Sequence, residues 1–329
     1  MPNPPNHRFQ VVAAFAAIYV LWGSTYLGIK VAVEAMPPFF MAGSRFMLAG
    51  FLLLGWMAAQ PASRGGGSAA LRSMLAPAPL VRAATIGLLM LGIGNGCVVW
   101  AISHRAPTGL TAVMIATTPL WLVLLDWLGA ARSGHRAPIA PRVVVGLAVG
   151  VVGIVVLRGV GFEAAAGLDG PIVPVLLAAS LAWACGSVLS KRSRADGSPF
   201  VATGLQMVLG GAAVTLFSAL TEHWGTIEPS AFTLRSWLGF GYLVVFGSLV
   251  GYTAFIWLLR HVSAAAVGTY AYVNPVVAVV LGAIIADEPL TPRTIVASAI
   301  ILAAVVLITT ARARPAATAD ASVDGAEPA

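Results

Sequence analysis

The chain has 329 residues, of which 59% are hydrophobic and only 9% charged, with a mean hydropathy of +0.90. A water-soluble domain cannot hide that share of apolar surface, so soluble enzymes and soluble binding modules are excluded and a membrane protein remains. The net charge of +7 comes from basic residues scattered singly between apolar runs, which argues against a nucleic-acid partner and for a role in membrane topology.

Residues 1–8 form a short N-terminal start carrying Arg8. The first apolar stretch, from about Phe9 to Ala32, is too long and too lightly charged in front for a typical cleaved signal peptide and reads as an anchor. Four more runs follow near 38–59, 81–103, 107–128 and 142–160. They are separated by Met36-Pro37-Pro38, the polar stretch from Pro61 to Ser68, Ala106-Pro107 and Ser133-Gly134-His135. Beyond Gly167 to Pro171 come five further runs near 171–191, 199–220, 236–259, 263–286 and 292–311, with Glu288-Pro289 before the last. A helix needs roughly 20 apolar residues to cross a hydrocarbon core about 30 Å thick, and these runs meet that length repeatedly. Residues 312–329, mostly Ala, Asp, Pro and Glu without periodicity, are expected to be a disordered cytoplasmic tail.

Placing the N-terminus in the cytoplasm puts thirteen Lys and Arg residues on that side and five on the other, with Arg45 inside a span. The bias predicts both termini inside. The halves also repeat. Trp22 to Lys30 reads WGSTYLGIK and Trp183 to Lys191 reads WACGSVLSK, each with Trp and Lys eight residues apart. Ala116-Thr117-Thr118-Pro119-Leu120 matches Tyr272-Val273-Asn274-Pro275-Val276 at an offset of 156. Five spans per half is odd, so the halves are expected to be inverted, which points to a secondary transporter. The predicted fold class is therefore an all-α integral membrane protein of ten transmembrane helices in two inverted five-helix repeats, over 9–160 and 161–311.

At this point the chain resembles the EamA family of the drug/metabolite transporter superfamily, two units in tandem, and within it the YedA-type inner-membrane transporters. The residues carrying the resemblance are Leu21-Trp22-Gly23-Ser24-Thr25-Tyr26, Pro37-Pro38, Met41-Ala42-Gly43-Ser44-Arg45-Phe46, Gly94-Asn95-Gly96 and the block YAYVNPVV from Tyr270 to Val277. The resemblance implies ten helices with cytoplasmic termini, a central substrate cavity between the halves, and export of metabolites or drug-like solutes. One departure is the acidic pair Asp287-Glu288 after the ninth span, where the first half has Ala130-Ala131-Arg132.

Candidate cavity residues follow from polarity in an apolar setting. Pro119 and Pro275 lie about twelve residues into their spans, about 18 Å deep, and should each release the carbonyl four residues earlier, at Ile115 and Ala271. The alternative is a kink serving packing alone. Trp22, Tyr26 and Lys30 form a stripe at i, i+4 and i+8. Arg45 lies within the second span, where a charge costs on the order of 2.5–3.5 kcal/mol, so it should face protein or water. These cations suit an electropositive vestibule for carboxylates or other anions; alternatively Lys30 snorkels and Arg45 caps carbonyls or pairs with Glu34. Asn95, Tyr270, Tyr272 and Asn274 either line the cavity or hydrogen-bond between helices. Trp100 either stacks on a substrate ring or sits in the interfacial belt. Thr118 and Trp183, from the matched motifs, complete the set. Glycine patterns such as Gly146 to Gly150 and Gly247 to Gly251 read as packing signals.

No cofactor, metal or catalytic residue is expected: the five histidines lack ligand spacing, and no HExxH, GxSxG or Walker A motif is present. Cys97 and Cys185 lie in apolar runs, as packing residues. Partners are a small-molecule substrate and the bilayer, with a homodimer left open. A non-transporting scaffold or partner-binding membrane protein is the rival reading. An ion channel would need an acidic ring or a filter-like loop. Asp126 alone among the acids falls within a span, near its end, which points away from a midplane proton relay.

Overall fold

The computed structural model describes residues 5–61, 67–104, 114–132, 139–158, 171–193, 198–224, 228–285 and 292–310, and every regular element among them is helical. Helix α1 is Pro5–Ala32 and α2 is Pro38–Ala59. A short helix, α3, follows at Gly67–Met74. Helix α4 runs on through three stretches: α-helical Pro77–Gly87, π-helical Leu88–Asn95 and α-helical Gly96–Ser103. Then come α5 (Thr118–Arg132), α6 (Pro141–Arg158), α7 (Ile172–Arg192) and α8 (Pro199–Thr221). Helix α9 is again threefold, with Leu234–Tyr242, π-helical Leu243–Tyr252 and Thr253–His261. The series ends with α10 (Ala264–Gly268), α11 (Tyr270–Ile285) and α12 (Pro292–Thr309).

The helix starts follow from backbone chemistry. Proline stands in the first turn of α2, α4 and α8, where its missing N–H leaves nothing unpaired. Thr233 and Ser263 cap α9 and α10 by accepting from the amides of Ser236 and Ala266. Gly67, at a φ of 81°, makes the turn into α3 that a side chain would resist. That helix falls between the second and third expected runs, mostly beyond the polar stretch Pro61 to Ser68: Leu71 and Met74, three apart, lay one face of it onto the core and give a short helix enough apolar contact to form.

Six helical stretches are long and apolar enough to cross a membrane: His7–Thr25, Pro38–Ala59, Pro77–Ala101, Ile172–Arg192, Pro199–Thr221 and Leu234–His261. Three shorter apolar helices, Thr118–Gly129, Pro141–Gly153 and Ile295–Ile308, accompany them among the described residues. The molecule is a multi-pass membrane protein, and its polarity is arranged accordingly. Large apolar side chains stand outward, with Leu220 77% and Leu234 76% exposed, while Arg45, Thr203, Gln206, Ser187 and Asn274 are buried. This is the reverse of a protein folded in water.

Helix α2 packs most extensively along α8, and α6 along α12; α1 lies against α9 and α11, and α7 against α4 and α5. Small residues set the closest crossings. A Cβ on Gly50 of α2 would stand 2.8 Å from the carbonyl of Gly204 on α8, so there the two backbones touch. At one end of this pair Glu222 takes the first amides of α2, accepting from Phe39 N and Phe40 N at 2.8 Å each, and is held by the Ser218 hydroxyl at 2.6 Å. A carboxylate here satisfies orphan donors and complements the helix dipole.

Three expectations need correction or lie beyond reach. Pro119 is not deep within a helix: the chain turns at residues 116–117 and α5 begins at Thr118, so Pro119 sits in a first turn, with the Thr117 carbonyl accepting from Leu120 and Trp121. Proline suits such a start better than a helix interior, which is why the break precedes it. Glu34 pairs with Arg235 at 3.5 Å and not with Arg45. Asp287-Glu288, His135, the tail and the side chains of Tyr26 and Lys30 lie outside the described residues.

Candidate functional site

One cavity of about 120 Å³ opens among the helices, walled by residues from both halves of the chain. Of the residues singled out from sequence, Trp22, Arg45, Asn95, Thr118, Trp183, Tyr270 and Asn274 line it. The sequence reading missed Ser180, Tyr252, Thr25 and Phe46 on the same wall.

The aromatic part is a cluster built around Phe255. Trp22 stands 5.1 Å from it, Tyr270 5.5 Å and Trp183 5.6 Å, centroid to centroid, and Trp22 meets Trp183 edge-on at 5.6 Å. Edge-to-face geometry lets the positive rim of one ring meet the negative face of another. Trp22 is fixed further by donating its Nε1–H to the carbonyl of Gly247 at 2.9 Å, within the π-helical stretch of α9. The site explains the glycine at 251: a Cβ there would stand 2.5 Å from Trp22 Nε1. Gly247 and Gly251 therefore seat an aromatic residue of the cavity, beyond the general packing role read from sequence.

Both π-helical stretches end at the cavity. The stretch in α4 closes on Asn95 and that in α9 on Tyr252, and both side chains line the wall. A π-helical turn shifts the register of everything after it by re-aiming the side chains, a device that recurs at functional sites. Tyr252 is buried and donates its hydroxyl to Gln206 Oε1 at 3.1 Å. Nothing in an apolar run announces a π-helical register, so the orientation of these residues was invisible in sequence.

The polar part centres on Arg45, which is 3% exposed. Its Nη2 donates to Asn95 Oδ1 at 3.3 Å and its guanidinium carbon lies 4.5 Å from the Phe46 ring centroid. No carboxylate among the described residues pairs with it, and its Nε has no hydrogen-bond partner. Nearby, Thr117, in the turn before α5, and Ser180 of α7 share a hydrogen bond of 2.9 Å. Asn274, with its amide nitrogen turned toward the backbone, donates to the carbonyls of Tyr270 and Tyr19 at 3.1 and 3.3 Å. It thereby ties α11 to α1, and the Tyr19 hydroxyl meets Thr269 Oγ1 at 2.6 Å just beside it.

The remaining candidates go elsewhere. Trp100 stacks on His104 at 4.2 Å near the end of α4 and faces a separate apolar hollow with Phe39 and Phe217. Five residues beyond Asn95 and three before the end of α4, it lies off the cavity wall. Tyr272 points to the opposite side of α11, its ring against Gly150 and its hydroxyl donating to the carbonyl of Leu147 on α6 at 3.4 Å. Two positions from both Tyr270 and Asn274, its rotation about the helix carries it off the cavity face. Pro119 packs toward Gly268 and Pro275 is buried within α11; neither lines the cavity. Away from the cavity, Lys191 Nζ meets Asp126 Oδ2 at 2.6 Å, and Arg192 donates to the carbonyl of Asp126 at 3.1 Å, clamping the end of α7 to the second half of α5.

Comparison with known proteins bears on what such a cavity serves. The sequence matches the EamA-like transporter family twice, over residues 10–159 and 171–310. It is 37% identical over 296 residues to the uncharacterized inner membrane transporter YedA of Escherichia coli K12, a match covering 90% of this chain and 89% of that one. It is 26% identical over 296 residues to a protein of the same strain named "Probable amino-acid metabolite efflux pump", covering 83% of this chain and 86% of the relative. A solved crystal structure shares the fold with a TM-score of 0.72 at 23% identity, over 91% of this chain and 97% of its own. Matched over both halves and along nearly the whole of a transporter relative, this membrane protein belongs to the EamA-like transporter family.

Proposed function

We propose that the protein is a secondary transporter that exports small metabolites or drug-like solutes by alternating access. In this reading ten membrane-spanning helices form two inverted repeats over 9–160 and 161–311, residues 1–8 and 312–329 are cytoplasmic, and the halves rock about the central cavity. The observation that carries the reading is that cavity, aromatic and polar, walled by both halves in a chain of a transporter family.

Two further features support the repeat. The π-helical stretches begin at Leu88 and Leu243, close to the offset of 156 that aligns the proline motifs. Helix pairing also has a twofold pattern: α1 on α9 and α11 is mirrored by α7 on α4 and α5, while α2–α8 and α6–α12 pair each helix with its own counterpart. The efflux relative's name supports amino-acid metabolites as a substrate group.

The test is uptake by proteoliposomes holding the purified protein, screened with labelled amino acids and aromatic metabolites. Saturable flux of one class, reduced at least tenfold in Arg45→Ala and Asn274→Ala, is the expected result. No flux of any solute by a folded protein would move the assignment to a non-transporting scaffold.

A further inference from the structure

Three residues that line the cavity each bury a polar atom that lacks a partner in the protein: Arg45 Nε, Trp183 Nε1 and Thr118 Oγ1. Two of them can only donate, since neither a guanidinium nor an indole N–H has acceptor capacity, and a hydroxyl can donate as well. They come from α2, α7 and the start of α5, so the arrangement spans the cavity and does not belong to one helix. Arg45 is the only charged side chain among the described residues of the wall, and its one hydrogen-bond partner, Asn95, is neutral.

Around this donor set the wall is aromatic, with Trp22, Trp183 and Tyr270 presenting ring edges and faces. The space of about 120 Å³ is a little below the about 150 Å³ that takes benzene, so it limits the ligand to a single ring.

We propose that the cavity is a binding site for an organic monoanion: a carboxylate that meets Arg45, attached to a single ring held among Trp22, Trp183 and Tyr270. An ionised carboxylate offers only acceptors, which complements a wall of donors, and its charge cancels the buried guanidinium. A zwitterion would bring a second positive charge and leave the site uncompensated; a cation would meet like charge at close range. This proposal rests on the transporter reading above and narrows its substrates from metabolites in general to those carrying net negative charge.

Benzoate, benzamide and benzamidinium share one planar shape and carry charges of −1, 0 and +1, so they isolate charge; phenylglycine adds the zwitterion. Binding is measured by calorimetry on the full chain in nanodiscs, independently of flux. The expected result is benzoate at least tenfold tighter than the other three. In Arg45→Gln the affinities of benzoate and benzamide should converge, and in Arg45→Lys the order should survive. Thermal unfolding in the same nanodiscs checks that both variants are folded, and the order among ligands on the unmodified chain is read without any variant.

Equal binding of the three isosteres, tighter binding of benzamidinium or phenylglycine, no binding of any probe, or undiminished benzoate affinity in folded Arg45→Gln each overturns the proposal. The two readings separate in the flux assay. Benzoate bound but never moved defeats the transporter and leaves the anion site standing. A transported cation, with benzoate unbound, defeats the anion site and leaves the transporter.

Discussion

Trp22 and Trp183 occupy matching places in the two WxxxxxxxK motifs, yet their indoles differ in one atom's circumstances. Trp22 Nε1 donates to Gly247 at 2.9 Å, while Trp183 Nε1 is buried without a partner. Replacing each by Phe removes the donor along with part of a ring. The ring loss is common to both; the hydrogen bond is lost only at Trp22. Trp22→Phe should therefore be less stable than Trp183→Phe by about 1 kcal/mol, read from thermal unfolding in one detergent. Equal losses would mean the Gly247 bond contributes nothing net. How far such residues were legible follows from their chemistry. Arg45, Asn95, Tyr270 and Asn274 stood out because a polar group in an apolar run needs a reason, and these four do share a wall with Trp22, Thr118 and Trp183, drawn from the helix stripe and the matched motifs. Tyr272 stood out equally and faces α6, because polarity does not encode rotation about the helix axis. Tyr252 and Ser180 were passed over since tyrosine and serine are ordinary within spans.

Among the helices, α2 and α8 show how an element is held at its ends. Glu222 caps α2 from a different helix, a contact between residues 182 and 183 positions apart that no local pattern reveals. At the opposite end of the pair the contact is aromatic, Trp56 edge-on to Phe200 at 6.2 Å. Glu222→Gln keeps the shape but loses the charge that faces the helix N-terminus, and should cost about 1–2 kcal/mol, whereas Glu222→Asp should recover part of it. Unfolding midpoints in one detergent decide this, and an unchanged Glu222→Gln midpoint would sink the cap as a stabilising contact. Span positions were otherwise well legible: α2 matches its expected bounds, because length and apolarity are what a bilayer demands. The internal π-helical stretches of α4 and α9 were not, since the same apolar letters suit either register.

On the scale of the molecule, Lys191 and Arg192 at the end of α7 clamp Asp126 of α5 and so join the two halves of the sequence. If the halves rock, that end must part. The Lys191 and Asp126 side chains are 18% and 34% exposed, so the pair contributes about 1 kcal/mol, enough to bias a two-state equilibrium about fivefold. A cysteine placed at the buried Ser187, in a chain without its own cysteines, should react with a membrane-impermeant maleimide about fivefold faster in Asp126→Asn. The charge swap Asp126→Lys with Lys191→Asp should return it to the starting rate. An unchanged rate in Asp126→Asn means the clamp is static.

The outward apolar faces, Leu220 and Leu234 among them, carry a thermodynamic consequence. Lipid tails surround those side chains whether the helices are packed or apart, so separating the helices in a bilayer hydrates little apolar surface. The heat-capacity change that bends the stability curve of water-soluble proteins is then small. Stability here falls close to linearly with temperature, and cooling neither weakens the fold nor brings a cold-denatured state within reach.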